Sequence, residues 1–181
     1  SLLLLALSAI PMILLAMLIK LESAGPAIFA QQRVGLGSVS FTMYKFRSMV
    51  SNAESEGAQF AARADKRVTN VGKFIRKYRI DELPQLFNVL RGDMSLIGPR
   101  PEQENLVDGL VKKIPLFPFR HSVRPGITGW AQVCQGYAYD VESSSEKITY
   151  DLFYIKNLSF LLDMTIIIRT FRILFTGFGS R

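Results

Sequence analysis

The chain has 181 residues, enough for one domain with a sizeable core, and a formal charge of +7 that favours anionic partners: phosphates, anionic lipid or nucleic acid. Its single cysteine, Cys134, excludes an intrachain disulfide, and its single histidine, His121, excludes a histidine metal cluster. Apolar residues make up 49% of the sequence and mean hydropathy is +0.20, high for a freely soluble domain.

The sequence opens in an apolar run, Leu2 to Ile19, whose one polar interruption is Ser8. The run approaches the roughly 20 residues that span a bilayer core. It lacks the basic flank and small-residue cleavage site of a secretory signal. Its abrupt start predicts further residues upstream in the full protein. Pro11 removes one helical hydrogen bond and predicts a bend, with two outcomes. One is a kinked transmembrane helix; the other is a re-entrant hairpin whose two arms enter and leave on the same face. Ser8 offers a hydroxyl to a carbonyl freed at the bend. Lys20 ends the run and reaches the headgroups, and the remaining basic residues follow it, so the positive-inside rule places the body in the cytoplasm.

Ala27 to Arg33 and Val39 to Phe46 read as two strands around the turn Gly35-Leu36-Gly37-Ser38. That turn lacks the third glycine and the following helix of a dinucleotide loop. Ser51 to Asp65 is polar and alanine-rich, a surface helix or a loop. Val71 to Tyr78 is a short helix with Asn70 as its N-cap and Lys73, Arg76 and Lys77 as a basic face.

Arg79 to Glu102 carries the strongest signal. Asp81 reads as a helix N-cap with Glu82 beside it, and Leu83, Leu86, Phe87 and Leu90 follow on one apolar face that Gly92 closes. Two adjacent carboxylates lie among Arg76, Lys77, Arg79, Arg91 and Arg100. Acids among guanidinium groups suit a divalent metal and a phosphorylated substrate better than an apolar core. Gly98 to Glu102 is a rigid turn that holds Arg100 between prolines, a phosphate clamp by its fork geometry. Leu106 to Phe119 reads as an exposed helix followed by a loop. A second Gly/Pro-rich loop, His121 to Trp130, carries Arg124.

Asp140 to Lys147 is a polar loop or helix start. Leu158 to Phe178 contains Asp163, Arg169 and Arg172, too many charges to span cleanly. Thr165, Arg169, Arg172 and Thr176 recur at helical spacing, which predicts a helix lying in the membrane interface with its arginines toward anionic headgroups. Cys134 reads as a buried, inert thiol.

Four blocks, Y-K-F-R-S-M (Tyr44 to Met49), D-E-L-P-Q-L-F-N-V-L-R-G-D-M-S-L-I-G-P-R-P (Asp81 to Pro101), R-P-G-I-T-G-W-A-Q-V (Arg124 to Val133) and Y-D-L-F-Y-I-K-N (Tyr150 to Asn157), resemble the bacterial sugar transferase family. These are the monotopic polyprenyl-phosphate phosphoglycosyl transferases of exopolysaccharide and O-antigen priming. The resemblance implies an α+β, mostly helical fold. It comprises a re-entrant, Pro-kinked membrane helix, a small β-hairpin and interfacial amphipathic helices. Residues 1–181 form one catalytic domain with 1–20 inserted in the membrane.

The implied reaction moves a sugar 1-phosphate from a UDP-sugar to undecaprenyl phosphate and leaves UMP. Asp81 is the implied nucleophile, forming an aspartyl-phosphosugar intermediate, with Glu82 as its partner and both as ligands of Mg²⁺. The helix dipole and nearby arginines are expected to keep Asp81 ionised. Arg100, Arg124, Lys45 and Asp151 are the candidate substrate-phosphate residues. Ser8, Pro11, Lys20, Arg169 and Arg172 are the membrane residues. The implied location is the bacterial inner membrane, catalytic face toward the cytoplasm, with the lipid bilayer as a partner and a homodimer left open. The family's re-entrant helix usually carries a Ser-Pro pair, whereas here Ser8 and Pro11 are separated by two residues.

A lipid-binding scaffold explains the charge and the apolar start but not paired carboxylates, which weaken binding to anionic lipid. A nucleic-acid binder finds no fold signature in the sequence, and nucleic acid is not an expected partner. Nothing in the sequence reads as a code for the sugar.

Overall fold

Leu2–Glu22 forms helix α1, about 30 Å long at 1.5 Å per residue. The computed structural model describes residues 2–50, 65, 67–135 and 141–176. The region 51–64 and residues 136–140, read in the sequence as surface loops or a surface helix, lie outside them. Among the described residues α1 is the one helix long and apolar enough to cross a membrane. A single stripe, Met12, Leu15 and Ile19, is buried, while Leu3, Leu7, Ile10, Leu14 and Leu18 stay exposed. The helix is continuous through Pro11. Pro11 removes the donor to the Leu7 carbonyl, but the Ser8 hydroxyl donates to the Leu5 carbonyl, at 3.3 Å.

The end of α1 is fastened on two sides. Glu22 accepts hydrogen bonds from the Asn70 and Val71 amides, at 2.7 and 3.0 Å. Arg47, 7% exposed, donates to the carbonyls of Ser23 and Ala24, at 2.7 and 2.8 Å, and to the Ser23 hydroxyl at 2.9 Å. These carbonyls follow the last turn of α1, where the helix itself supplies no donors.

Strands β1 (Ile28–Val34) and β2 (Ser40–Phe46) pair antiparallel from Ile28 opposite Phe46 to Val34 opposite Ser40, matching the predicted hairpin. The hairpin joins two apolar clusters. Phe46 packs with Met12, Leu15, Ile19, Ala27 and Ile75. Val34 packs with Val107, Ile114, Phe117 and Ile148.

Helix α2 spans Asn70–Lys77, and its N-cap is Thr69, whose hydroxyl accepts from the Gly72 amide at 2.9 Å; Asn70 is the first helical residue instead. The Ile80–Glu82 stretch is a 3-10 turn, and α3 begins only at Gln85, after Pro84. The expected N-cap role of Asp81 therefore fails, because the chain winds one tighter turn before the α-helix starts. Gly92, at φ 84°, closes α3 as read from the sequence.

Strand β3 (Ser95–Ile97) pairs in parallel with β4 (Gly126–Thr128), a pairing absent from the sequence reading. Close backbone approach explains the glycines here: a Cβ on Gly126 would stand 2.1 Å from the Gly98 nitrogen. Helix α4 (Glu104–Lys113) is not simply exposed, since Val107 is buried. A 3-10 turn over Phe117–Ser122 and helices α5 (Trp130–Cys134), α6 (Val141–Lys156) and α7 (Phe160–Thr176) complete the mostly helical α+β fold. Cys134 is half-buried rather than buried.

Helix α7 lies against α5 and β4. Ile166 is fully buried, and the Thr170 and Thr128 hydroxyls meet at 2.7 Å. The guanidinium of Arg169 sits 4.7 Å from the centre of the Trp130 ring, a cation–π contact that draws it toward the protein. The outward face is apolar: Phe160, Leu161, Ile168 and Phe171 are exposed, as are Arg169 and Arg172 at residue level.

Candidate active site

Strand β2, the 3-10 turn and the segment after β3 converge on the acid pair. Arg79 opens the turn with φ 54° and ψ 25°, a left-handed conformation costly for a residue with a Cβ. That conformation redirects the chain out of α2, so that Asp81 and Glu82 face Lys45 of β2 and Arg100. Glu82 is 6% exposed. Arg100 donates to both of its carboxylate oxygens, at 2.8 and 3.1 Å, and Arg79 stands 4.0 Å away. Asp81 is half-buried and, among the described residues, makes no hydrogen bond or ion pair of its own.

The two carboxylates are pushed apart electrostatically. Burial works to raise Glu82, but the Arg100 and Lys45 charges outweigh it and hold the group at about 2. Asp81 is pushed up to about 6 by burial and by the neighbouring Glu82 charge, against Lys45, Arg100 and Arg76. The sequence reading expected arginines and a helix dipole to hold Asp81 down. The structure reverses this because burial and the adjacent Glu82 charge outweigh the cations, whose nearest fork, that of Arg100, closes on Glu82. At neutral pH Asp81 is still mainly ionised, with a carboxylate more basic than usual. Burial and the Arg100 charge push Lys45 down to about 7.

The other predicted site residues are placed differently. Arg124 is exposed, and its Nε donates to the Gly92 carbonyl at 2.9 Å, at the opposite end of α3 from Asp81. Asp151 is 1% exposed, and its carboxylate is held by Arg120 at 2.8 and 3.0 Å, so its connection to the acid pair runs through that arginine.

Several residues escaped the sequence reading. Arg120, Glu102 and Lys147 form a buried network with Asp151: Arg120 reaches Glu102 at 3.5 Å, and Lys147 also pairs with Glu102. Lys147 and Asp151 stand four residues apart on α6, one turn of the same face, which was the available signal. Arg33 donates to the Pro101 carbonyl at 3.0 Å, behind the Arg100 turn. His121 contacts the Ser38 hydroxyl at 2.9 Å, and burial with the Arg120 charge lowers it to about 4, which keeps the ring neutral.

Comparison with known proteins matches the sequence to a family. The profile of bacterial sugar transferases covers residues 1–177. The chain is 59% identical over 170 residues to the UDP-N-acetylgalactosamine-undecaprenyl-phosphate N-acetylgalactosaminephosphotransferase of Aeromonas hydrophila, covering 94% of this chain and 40% of that protein. It is 47% identical over 163 residues to the UDP-glucose:undecaprenyl-phosphate glucose-1-phosphate transferase of Caulobacter vibrioides, covering 88% of this chain and 61% of that protein. Over 177 residues it is 44% identical to the undecaprenyl-phosphate glucose phosphotransferase of Komagataeibacter xylinus, covering 94% of this chain and 33% of that protein. The chain thus spans between a third and about three fifths of the length of these relatives. With nearly its whole length matched, from the apolar helix to α7, the chain belongs to the bacterial sugar transferase family.

Proposed function

We propose that the chain transfers a sugar 1-phosphate from a UDP-sugar to undecaprenyl phosphate through a covalent intermediate on Asp81. The observation that carries this reading is the asymmetry of the acid pair. Glu82 is locked in the Arg100 fork, while the adjacent Asp81 has no hydrogen-bond partner among the described residues and a raised proton affinity. A carboxylate that is ionised, unengaged and more basic than usual is suited to attack phosphorus.

In the first step an Asp81 oxygen attacks the β-phosphorus of the UDP-sugar. The bond from that phosphorus to the bridging oxygen breaks, and UMP leaves with the electron pair. In the second step a phosphate oxygen of undecaprenyl phosphate attacks the same phosphorus. The Asp81 carboxylate is expelled, which restores the enzyme and leaves a sugar diphosphate lipid. Arg100 and Lys45 flank the pair and are assigned to the donor phosphate oxygens. Exposed Arg124 is assigned to the approach of the anionic substrate.

Mg²⁺ is the cofactor of this reading, and the donor set suits it. Mg²⁺ takes one or two carboxylates and completes its shell with water and substrate phosphates. Asp81 would be the first ligand, since among the described residues its oxygens are not engaged, while both oxygens of its neighbour Glu82 accept from Arg100. When bound, the ion supplies charge neutralisation to the diphosphate.

The bilayer gives the reaction its second substrate. The polyprenyl tail stays in the hydrocarbon, so its phosphate lies at headgroup depth. Helix α1, with exposed leucines around most of its surface, is assigned to one leaflet as a re-entrant element, with Lys20 at the headgroups and the catalytic face in the cytoplasm of the bacterial inner membrane. The apolar outward face of α7 is assigned to the interface, where Arg172 meets anionic headgroups while Arg169 stays turned onto Trp130.

Incubation with UDP-N-acetylgalactosamine or UDP-glucose, Mg²⁺ and undecaprenyl phosphate should release UMP. Intact mass should show a phosphosugar adduct that maps to Asp81, and Asp81→Asn should abolish both signals. Near wild-type turnover in that variant would overturn the covalent assignment. For α1, cysteines placed at Leu3 and Leu21 should both label from the cytoplasmic side; labelling from opposite sides would make α1 a span instead.

A further inference from the structure

We propose that Arg120 is a positioning residue for the transfer reaction: it holds the Pro99-Arg100-Pro101 turn from behind and thereby aims the Arg100 fork at Glu82. This rests on the reading of the acid pair as the transfer site.

The argument starts from what Arg120 joins. Its residue is 2% exposed, and its guanidinium lies 5.1 Å from the centre of the Phe117 ring. One nitrogen donates to the backbone carbonyl of Arg100 at 2.6 Å and also reaches the Asp151 carboxylate at 2.8 Å. Its Nε donates to the same Asp151 oxygen at 3.0 Å. Its remaining nitrogen stands 3.5 Å from Glu102. Arg120 thus ties α6, through Asp151, to the residue whose own guanidinium grips Glu82.

Arg100 is therefore held at both ends, by its carbonyl behind and by its fork in front. Its flanking prolines have restricted φ and no N–H, so the turn has few internal hydrogen bonds to set its place. The constraint comes from outside the turn: the Gly126 amide donates to the Pro99 carbonyl and Arg33 to the Pro101 carbonyl, both at 3.0 Å, and Arg120 grips the Arg100 carbonyl between them. The planar Arg120 guanidinium makes its contacts at once, and a lysine ammonium lacks the fork geometry to do so. A misplacement of about 1 Å in a catalytic constellation costs about 10²-fold in rate. The arrangement gives buried Asp151 a role that needs no contact with substrate, as the anchor that orients Arg120.

The test uses the full chain in lipid nanodiscs, with UDP-N-acetylgalactosamine or UDP-glucose as donor and undecaprenyl phosphate as acceptor. Arg120→Lys, Arg100→Lys and the double variant are compared by turnover and by hydrogen–deuterium exchange. Arg120→Lys should speed exchange at the Gly98, Arg100 and Glu102 amides and leave the β1–β2 hairpin unchanged. It should lower kcat about 10²-fold beside native Arg100. In the Arg100→Lys background it should cost less than about twofold, because the two residues act as one unit. Equal losses in both backgrounds, or unchanged exchange in the turn, would overturn the proposal. If Arg120→Lys does not fold, Asp151→Asn takes its place: it keeps the shape, removes the anchoring charge and should give the same pattern in milder form. Unchanged exchange in Asp151→Asn overturns the proposal equally. A wild-type protein that releases no UMP would overturn the transfer reading, while the exchange measurement still decides whether Arg120 holds the turn.

Discussion

Arg100 and Glu82 meet fork to fork, with both guanidinium–carboxylate bonds at 2.8 to 3.1 Å and both side chains largely withdrawn from water. A bidentate pair in that setting fixes orientation as well as charge. Glu82→Gln leaves the guanidinium buried beside a neutral amide. The expected result is destabilisation on the order of 3 kcal/mol and a fall in turnover of about 10²-fold. Urea unfolding and UMP release measure the two effects. Wild-type stability in this variant would mean that the fork is open in solution.

Arg47 ties the end of α1 to β2 through several carbonyls at once. Arg47→Met keeps the apolar stem and removes every donor. Hydrogen bonds from charged groups contribute about 1.5–3 kcal/mol each, and water compensates part of the loss, so a net cost of about 3 kcal/mol is expected. Limited proteolysis should then cut faster between Ser23 and Ala27 than it does in the wild type. An unchanged cleavage pattern would show that Glu22 alone suffices to hold α1.

Glu102 predicts a pH dependence of stability. Burial works to raise its pKa, but the Lys147 and Arg120 charges outweigh burial and hold it well below its ordinary 4.5. A depressed folded-state value means that the ionised carboxylate stabilises the fold. The contribution is complete above the unfolded value near 4.5 and is lost as pH falls below it toward the folded value. Glu102→Gln should therefore be less stable than wild type at pH 7, and the gap should narrow below about pH 4. Thermal unfolding at several pH values measures it; a gap that widens toward acid would contradict the assignment.

Much of the fold was legible because it rests on local patterns. The β1–β2 hairpin followed from alternation around a glycine turn, and the end of α3 from Gly92; the expected apolar face of α3 did not hold, because Phe87 and Leu90 are exposed while Gln85 and Asn88 are buried beside Leu86. The family was legible from the blocks around Asp81, Arg124 and Tyr150. What escaped depends on contacts between distant segments. The parallel pairing of Ser95–Ile97 with Gly126–Thr128 joins strands too short to show periodicity. The Arg120 network brings together residues from 102 to 151 whose separate contexts read as loop and polar helix. The start of α3 was misjudged because Asp81 is a good N-cap by type, whereas the left-handed Arg79 and the following 3-10 turn place it one turn too early. The direction in which the proton affinity of Asp81 is shifted differs from the expectation for a related reason: a ring of arginines in sequence does not say which carboxylate the fork will close on, nor how deeply the other is buried.

The hairpin carries one more implication. Because Phe46 belongs to the cluster beneath α1 and Val34 to the cluster beneath α6, neither cluster can come apart without pulling on a strand the other one holds. The part that seats α1 and the part around α6 thus share one cooperative unit. A substitution in either cluster is felt as a loss of the whole body, so a lesion beside α6 weakens the seat of the apolar helix in the other cluster.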